Sequence, residues 1–136
     1  MKRINPSDLE TFARHYRFPG GRLARIKYIH RGGQLDIEIV LVARTAVKDL
    51  NQDAKKARLR LRFVDVEECR FQKRPGTSLA TLKDLKLGFF DGSIFANFDS
   101  WALGPGERPA LHDFRGSEAY IGCKDLLWEP VERSAA

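Results

Sequence analysis

The side chains best placed to do chemistry in this sequence are arginines. Ala57-Arg58-Leu59-Arg60-Leu61-Arg62-Phe63-Val64 alternates cationic and apolar residues. On a strand that alternation sends Leu59, Leu61 and Phe63 to one face and three guanidinium groups to the other. Alternate strand residues repeat about every 6.8 Å, near the spacing of successive phosphates, so Arg58, Arg60 and Arg62 form a ladder able to track an anionic polymer. Arg25, Lys27, Lys55 and Lys56 extend the patch. Asp36 and Glu38 offer a competing use, because they fall on the outward face of the expected neighbouring strand, where cross-strand ion pairs engage arginines without any ligand. Trp101, beside Leu103 in a Gly-Pro loop, either anchors a partner, as tryptophan often does at interface hot spots, or packs on the sheet edge.

Residue types used in catalysis and metal binding are present but scattered. The three histidines stand at 15, 30 and 112 with no Cys-x-x-Cys or His-Glu-x-x-His pattern around them. His112-Asp113 would need further histidines and aspartates to hold a metal, and His30 falls on an expected core face, where a hydrogen-bonded structural role suits it. Neither Cys69 nor Cys123 has a histidine nearby in sequence, and no serine occupies a Gly-x-Ser-x-Gly elbow. Both cysteines read as reduced, buried or half-buried apolar residues. Glu67 and Glu68 are adjacent, and adjacent strand residues point to opposite sides, so they are not expected to act as a pair. No catalytic residue, metal ligand or cofactor is assigned.

The elements that must position these groups show in the patterning. Ser7 and Glu10 match a capping box, and Leu9, Phe12, Ala13 and Tyr16 then fall on one helical face, predicting a helix of two to three turns that ends before Pro19-Gly20-Gly21. From Arg22 the period becomes alternating. Arg31-Gly32-Gly33-Gln34 predicts a two-residue type I′ hairpin placing Tyr28 opposite Ile37, Ile26 opposite Ile39, Ala24 opposite Leu41 and Lys27 opposite Glu38. Residues 44–56 read as a polar connection. After the arginine strand, Val66 to Gln72 either continues it past a bulge or forms a short further strand. Asp91-Gly92 predicts a second hairpin, with Phe90 opposite Ser93, Phe89 opposite Ile94, Leu87 opposite Ala96 and Leu85 opposite Phe98. A long irregular loop is expected over 99–117, and a last strand over about 119–128. Phe90, Phe95, Ile29 and Val40 fall on the outward face, which predicts that a helix or another chain covers part of it. Phe95 lies opposite Gly88, where an aromatic ring can cover a glycine.

Six or seven antiparallel strands with one short N-terminal helix imply a mainly β fold, either a β-sandwich or a partly open barrel, because a sheet with one apolar face must bury it. The 136 residues are read as a single domain, 1–136, with 43% apolar and 31% charged residues, an ordinary globular composition. No apolar run approaches the length of a membrane span, and Met1 to Glu10 lacks the apolar stretch of a signal peptide, so a cytoplasmic protein is expected. Charge is lopsided: up to Arg74 there are 18 basic and 9 acidic residues, and beyond it 6 and 9. That asymmetry fits an anionic partner for the first part, or charges gathered on solvated strand faces.

The order of helix, Gly-Gly hairpin, Arg-Leu-Arg-Leu-Arg-Phe-Val-Asp-Val strand, Asp-Gly hairpin and closing strand, over roughly residues 20 to 128, resembles small uncharacterised bacterial β-rich proteins. Some of those are similar to immunity proteins that neutralise toxins. The resemblance implies a non-catalytic protein that binds another protein through a charged surface. The residues also fit a nucleic-acid-binding module using the Arg58, Arg60 and Arg62 face, or a small-ligand-binding or enzymatic barrel.

Overall fold

The computed structural model describes residues 1–45, 56–71, 84–98, 110–116 and 119–131. Its strands are β1 (Lys2–Arg3), β2 (Tyr16–Arg31), β3 (Gln34–Thr45), β4 (Lys56–Phe71), β5 (Lys86–Phe90), β6 (Ser93–Asn97) and β7 (Ala119–Pro130), with helices α1 (Leu9–His15) and α2 (Leu111–Arg115).

Turn chemistry and alternation set most of the register. Tyr28 pairs with Ile37, Ile26 with Ile39 and Lys27 with Glu38, as the Gly-Gly turn predicts. Of the two turn glycines only Gly32 has positive φ, at 57°, which is the pattern of a type II′ turn and not the expected type I′. Ala24 does not face Leu41. Leu23 does, and the register shifts between Leu23 and Arg25. The bulge has a simple cause: residues 23 and 25 share parity, so one extra residue is needed for Leu23 to turn inward while Arg25 turns outward. The second hairpin has the expected type I′ turn, with φ of 51° at Asp91 and 80° at Gly92, and it pairs Phe90 with Ser93, Phe89 with Ile94 and Leu87 with Ala96. Leu85 is buried but precedes β5, so its expected pairing with Phe98 is absent from the ladder.

The N-terminal helix departs from its expected start and end. Pro6–Asp8 forms a 3-10 turn, closed by the Asp8 N–H donating to the Asn5 carbonyl at 2.8 Å, and no side chain caps either helix start. Glu10 instead accepts a hydrogen bond from Arg14 one turn on, at 2.7 Å. Leu9 and Phe12 are buried as the stripe predicts, but Tyr16 already belongs to β2. Its ring still joins Phe12 at 5.7 Å, and Phe12 meets Trp128 of β7 at 5.1 Å, fastening the helix to the sheet. The expected break at Pro19-Gly20-Gly21 is a distortion within β2, with a register shift between Arg17 and Arg22. Gly21 is required there because a Cβ would collide with the Val42 carbonyl oxygen of β3.

All strands join one antiparallel sheet in the order β2-β3-β4-β7-β6-β5, which does not close. β7 is central: β4 takes one edge, while β6 and β1 share the other, pairing residues 120–123 and 127–128 respectively. The fold is therefore mainly antiparallel β with a short N-terminal helix, and its architecture is the open alternative, not two stacked sheets. Helix α1 touches both β2 and β5, the two ends of that order. Six flat strands would hold these edges about 24 Å apart, whereas seven helical residues span about 10 Å. The sheet must therefore curl around its apolar face. Ile37, Ile39, Leu41, Leu59, Leu61, Phe63, Ile94, Ile121 and Leu126 fill that concave side with Leu9 and Phe12.

A smaller apolar cluster lies on the opposite face. Phe95, Phe114 and Tyr120 are buried there with Phe90 and Leu111 packed against them, so α2 supplies the cover that the outward aromatics predict. This helix lies inside the segment expected to be an irregular loop. A Cβ on Gly88 would lie 3.0 Å from the Phe114 ring, and one on Gly122 would lie 2.8 Å from Phe95, so the two glycines admit the rings.

Candidate functional site

Backbone pairing divides the outer face of β2, β3 and β4 into two ends with opposite electrostatics. β4 runs as one strand from Lys56 to Phe71, continuing past a bulge, and its outward Arg58, Arg60 and Arg62 are all half-exposed. Opposite them on β3 stand Val42, Val40 and Glu38.

At the hairpin end the arginines are engaged. Arg60 reaches Glu129 of β7 at 2.7 Å and Glu38 at 3.3 Å. Asp36, fully buried, accepts from Arg31 at 2.6 Å, Arg62 at 3.3 Å, Gln34 at 3.0 Å and the Asp65 backbone N–H at 3.0 Å. Burial by itself would raise the Asp36 carboxyl, but the Gln34 and Asp65 hydrogen bonds and the two guanidinium groups outweigh it and hold it below its ordinary value. Asp65 can offer that N–H because it adopts φ of 55°, an unusual conformation just before the bulge in β4.

At the other end the cations have no carboxylate partner among the described residues. Arg22 and Arg58 flank Val42, Arg25 and Arg60 flank Val40, and Arg44 faces Lys56. Among the described residues no carboxylate lies within ion-pairing distance of Arg22, Arg25, Lys27, Arg44, Lys56 or Arg58. Gly20, Gly21, Arg22, Arg44 and Lys56 border an open notch of about 360 Å³ beside Val42. Of the residues predicted from the sequence, the structure thus gathers Arg25, Lys56 and Arg58 into one basic surface, sets Lys27 at its border opposite Glu38, and assigns Arg60 and Arg62 to the ion-paired end. Trp101 and Lys55 lie outside the described residues. Arg22 and Arg44 belong to the surface but escaped prediction, because Arg44 sat in the presumed connection. Val40, Val42 and Arg44 continue the outward alternation of β3, which is the signal that would have found it.

A second polar recess, of about 190 Å³, opens beside α2 and is bordered by both Glu67 and Glu68. The sequence pattern placed these on opposite sides. The register shift between Val66 and Glu68 makes Glu67 the extra residue of a bulge and brings both carboxylates to one mouth. Each is already engaged: Ser93 Oγ donates to Glu67 at 2.7 Å and Lys124 lies at 3.4 Å, while Arg115 meets Glu68 at 2.9 and 3.3 Å. The Ser93 hydrogen bond leads the effects that hold the Glu67 carboxyl below its ordinary value.

His30 is exposed at the hairpin, not in the core, and the His112 Nε2 lies 3.5 Å from Oδ1 of its neighbour Asp113. Asp113 in turn accepts the Ala110 N–H at 2.7 Å, which fixes the start of α2. Both cysteines are free. Cys123 is buried, and burial pushes its thiol up to about 12; Cys69 is exposed, contrary to expectation, because it lies on the inner face where the sheet stands open. Among the described residues no group of three or more potential ligands is placed to hold a metal ion. No helix of the described residues is long and apolar enough to cross a membrane.

No family model matches the chain, and no curated protein or solved structure matches it significantly. The reading of its function rests on the surface just described.

Proposed function

We propose that this chain is a non-catalytic binding domain that holds an acidic partner protein against the basic end of its outer sheet face. One observation carries the reading: Arg22, Arg25, Arg44, Lys56 and Arg58 share that end with no carboxylate partner among the described residues. Like charges on paired strands oppose folding by up to about 1 kcal/mol per contact in water, and the same sheet shows at Asp36 how readily such charges can be matched. A matching charge on a partner would relieve that repulsion.

Val42 favours a protein over a nucleic acid. Half-buried between Arg22 and Arg58, with the buried Val40 beneath the next pair of cations, it places apolar surface among the arginines, which resembles a protein interface with an apolar centre and an arginine-rich rim. A single-strand binder would instead present aromatic rings for base stacking, and none of these residues is aromatic. The resemblance to small bacterial β-rich proteins, some of them similar to toxin-neutralising immunity proteins, implies the same class of partner.

Carbodiimide cross-linking followed by mass spectrometry tests this. A captured protein, repurified and mixed with the chain, should cross-link through Lys27 and Lys56 to its own carboxylates. The complex should weaken with added salt, and Arg22→Glu with Arg58→Glu should abolish it without changing the melting temperature by more than a few degrees. Salt-dependent binding of oligonucleotides, with no protein cross-linked at those lysines, would transfer the surface to nucleic acid.

A further inference from the structure

The long strand β2 is an edge. Among the described residues β3 is the only strand that pairs with it, so the other side of Arg25–Arg31 carries an unused row of backbone groups. The identity of those groups follows from the turn. Arg31 and Gln34 close a two-residue hairpin and are therefore a hydrogen-bonded pair, so Arg31, Ile29, Lys27 and Arg25 direct their N–H and C=O groups towards β3. Ile26, Tyr28 and His30 direct theirs away from the sheet.

The side chains beside this row are divided by face. Arg25 and Lys27 point outward into the basic surface. Ile26 and Tyr28 point to the concave side, where Tyr28 is 49% exposed, although its opposite residue Ile37 is completely buried. At the other edge of the same open sheet Phe89 of β5 is 46% exposed on the same concave face, and with Tyr28 it is one of the few large apolar residues left uncovered. Between these two edges α1 fills one part of the opening, packing beside Tyr16 and Phe18, and the part lined by Tyr28 and Phe89 has no helix over it among the described residues.

We propose that the Arg25–Arg31 edge of β2 takes up an extended segment of the acidic partner as an added strand, with acidic side chains facing Arg25 and Lys27 and apolar ones facing Ile26 and Tyr28. This rests on the reading of the basic face as a protein-binding surface and specifies how the partner is held. Main-chain hydrogen bonds to Ile26, Tyr28 and His30 supply the attachment, and the alternation supplies the selectivity. Charge complementarity decides the occupant. A second copy of β2 added antiparallel must set outward residues against outward residues, and every overlap of three or four pairs among Arg25, Lys27, Ile29 and Arg31 then opposes cation to cation. An acidic strand meets no such conflict, so the edge rejects its own copy and accepts the opposite charge.

The probe is a capped octapeptide of alternating Glu and Val, with an alternating Lys and Val octapeptide as its counterpart, and the readout is amide exchange of the full chain by NMR. The Glu-Val peptide should slow exchange at Ile26, Tyr28 and His30 while leaving the amides already bonded to β3 unchanged. Its affinity should fall at least tenfold in the doubly substituted Arg25→Glu, Lys27→Glu chain, and the Lys-Val peptide should not bind. Binding that is lost in the substituted chain but slows none of those three amides would overturn strand addition and leave the basic-face reading standing. Equal protection by the Lys-Val peptide would overturn the charge selection. An absence of binding at millimolar peptide would overturn the proposal outright, while the cross-linking of Lys27 and Lys56 decides the basic face separately.

Discussion

Arg58 and Arg62 stand on the same strand, on the same face, one turn of the alternation apart on either side of Arg60, yet their surroundings are opposite. Arg62 reaches a buried carboxylate that is held by three other donors, whereas Arg58 faces Val42, with Arg22 on the far side of that valine. What separates them is not the arginine strand but its neighbours. β3 offers Asp36 and Glu38 near the hairpin and valines farther along, and β7 offers Glu129 only opposite Arg60. The paired end serves the fold, while the other end is a surface whose cations have no carboxylate partner among the described residues.

If that division is right, substitutions at the two ends should differ in stability more than in binding. The largest loss belongs to Asp36. Asp36→Asn removes the charge that Arg31 and Arg62 share and should cost about 3 kcal/mol in urea unfolding near neutral pH, the range for breaking a buried ion pair. The sign of its pH dependence follows from a carboxyl held below its ordinary value of 3.8. Such a group adds stability that is fully present above the unfolded value and is lost as pH falls through the lower, folded one. The gap between the two chains should therefore be constant above about pH 5 and should narrow in acid; a gap that widens in acid would mean Asp36 is not the charged centre of this cluster.

Arg60→Ala comes next. It breaks ion pairs to both Glu38 and Glu129 on a side chain that is 36% exposed, so about 0.5–1 kcal/mol is expected by the same measurement. Arg58→Ala should have the smallest effect on stability, within about 0.5 kcal/mol, while still weakening the complex captured by cross-linking. A loss at Arg58 as large as that at Asp36 would erase the distinction between the ends.

Much of the fold was legible because strands alternate and glycine-containing turns fix register. Phe89 opposite Ile94 and Tyr28 opposite Ile37 follow from turn position and the burial of one face, and so do Leu59, Leu61 and Phe63 in the core. Prediction failed where an extra residue entered a strand. The bulge at Ala24 put Leu23 opposite Leu41 in its place, and Glu67 brought two adjacent carboxylates to one side. Strict period-two reasoning cannot place an insertion of one, since the residue that bulges is chosen by which neighbours pack best on both sides. The candidate surface was legible in its parts, for Arg25, Lys27, Lys56 and Arg58 were all singled out, but not in its boundary.

By itself, then, the sequence determined the class of fold, the two hairpins and the outward direction of the arginines, because these depend on local periodicity and on backbone conformations that glycine permits. Tertiary structure decided which arginines are neutralised, that the sheet stays open with α1 between its edges, and that α2 covers the outer aromatics. Those outcomes depend on which strands become neighbours: Glu129 is 69 residues from Arg60 in the chain and 2.7 Å from it in the fold. Coulombic and packing energies fall with distance in space, and local patterning carries no measure of that distance.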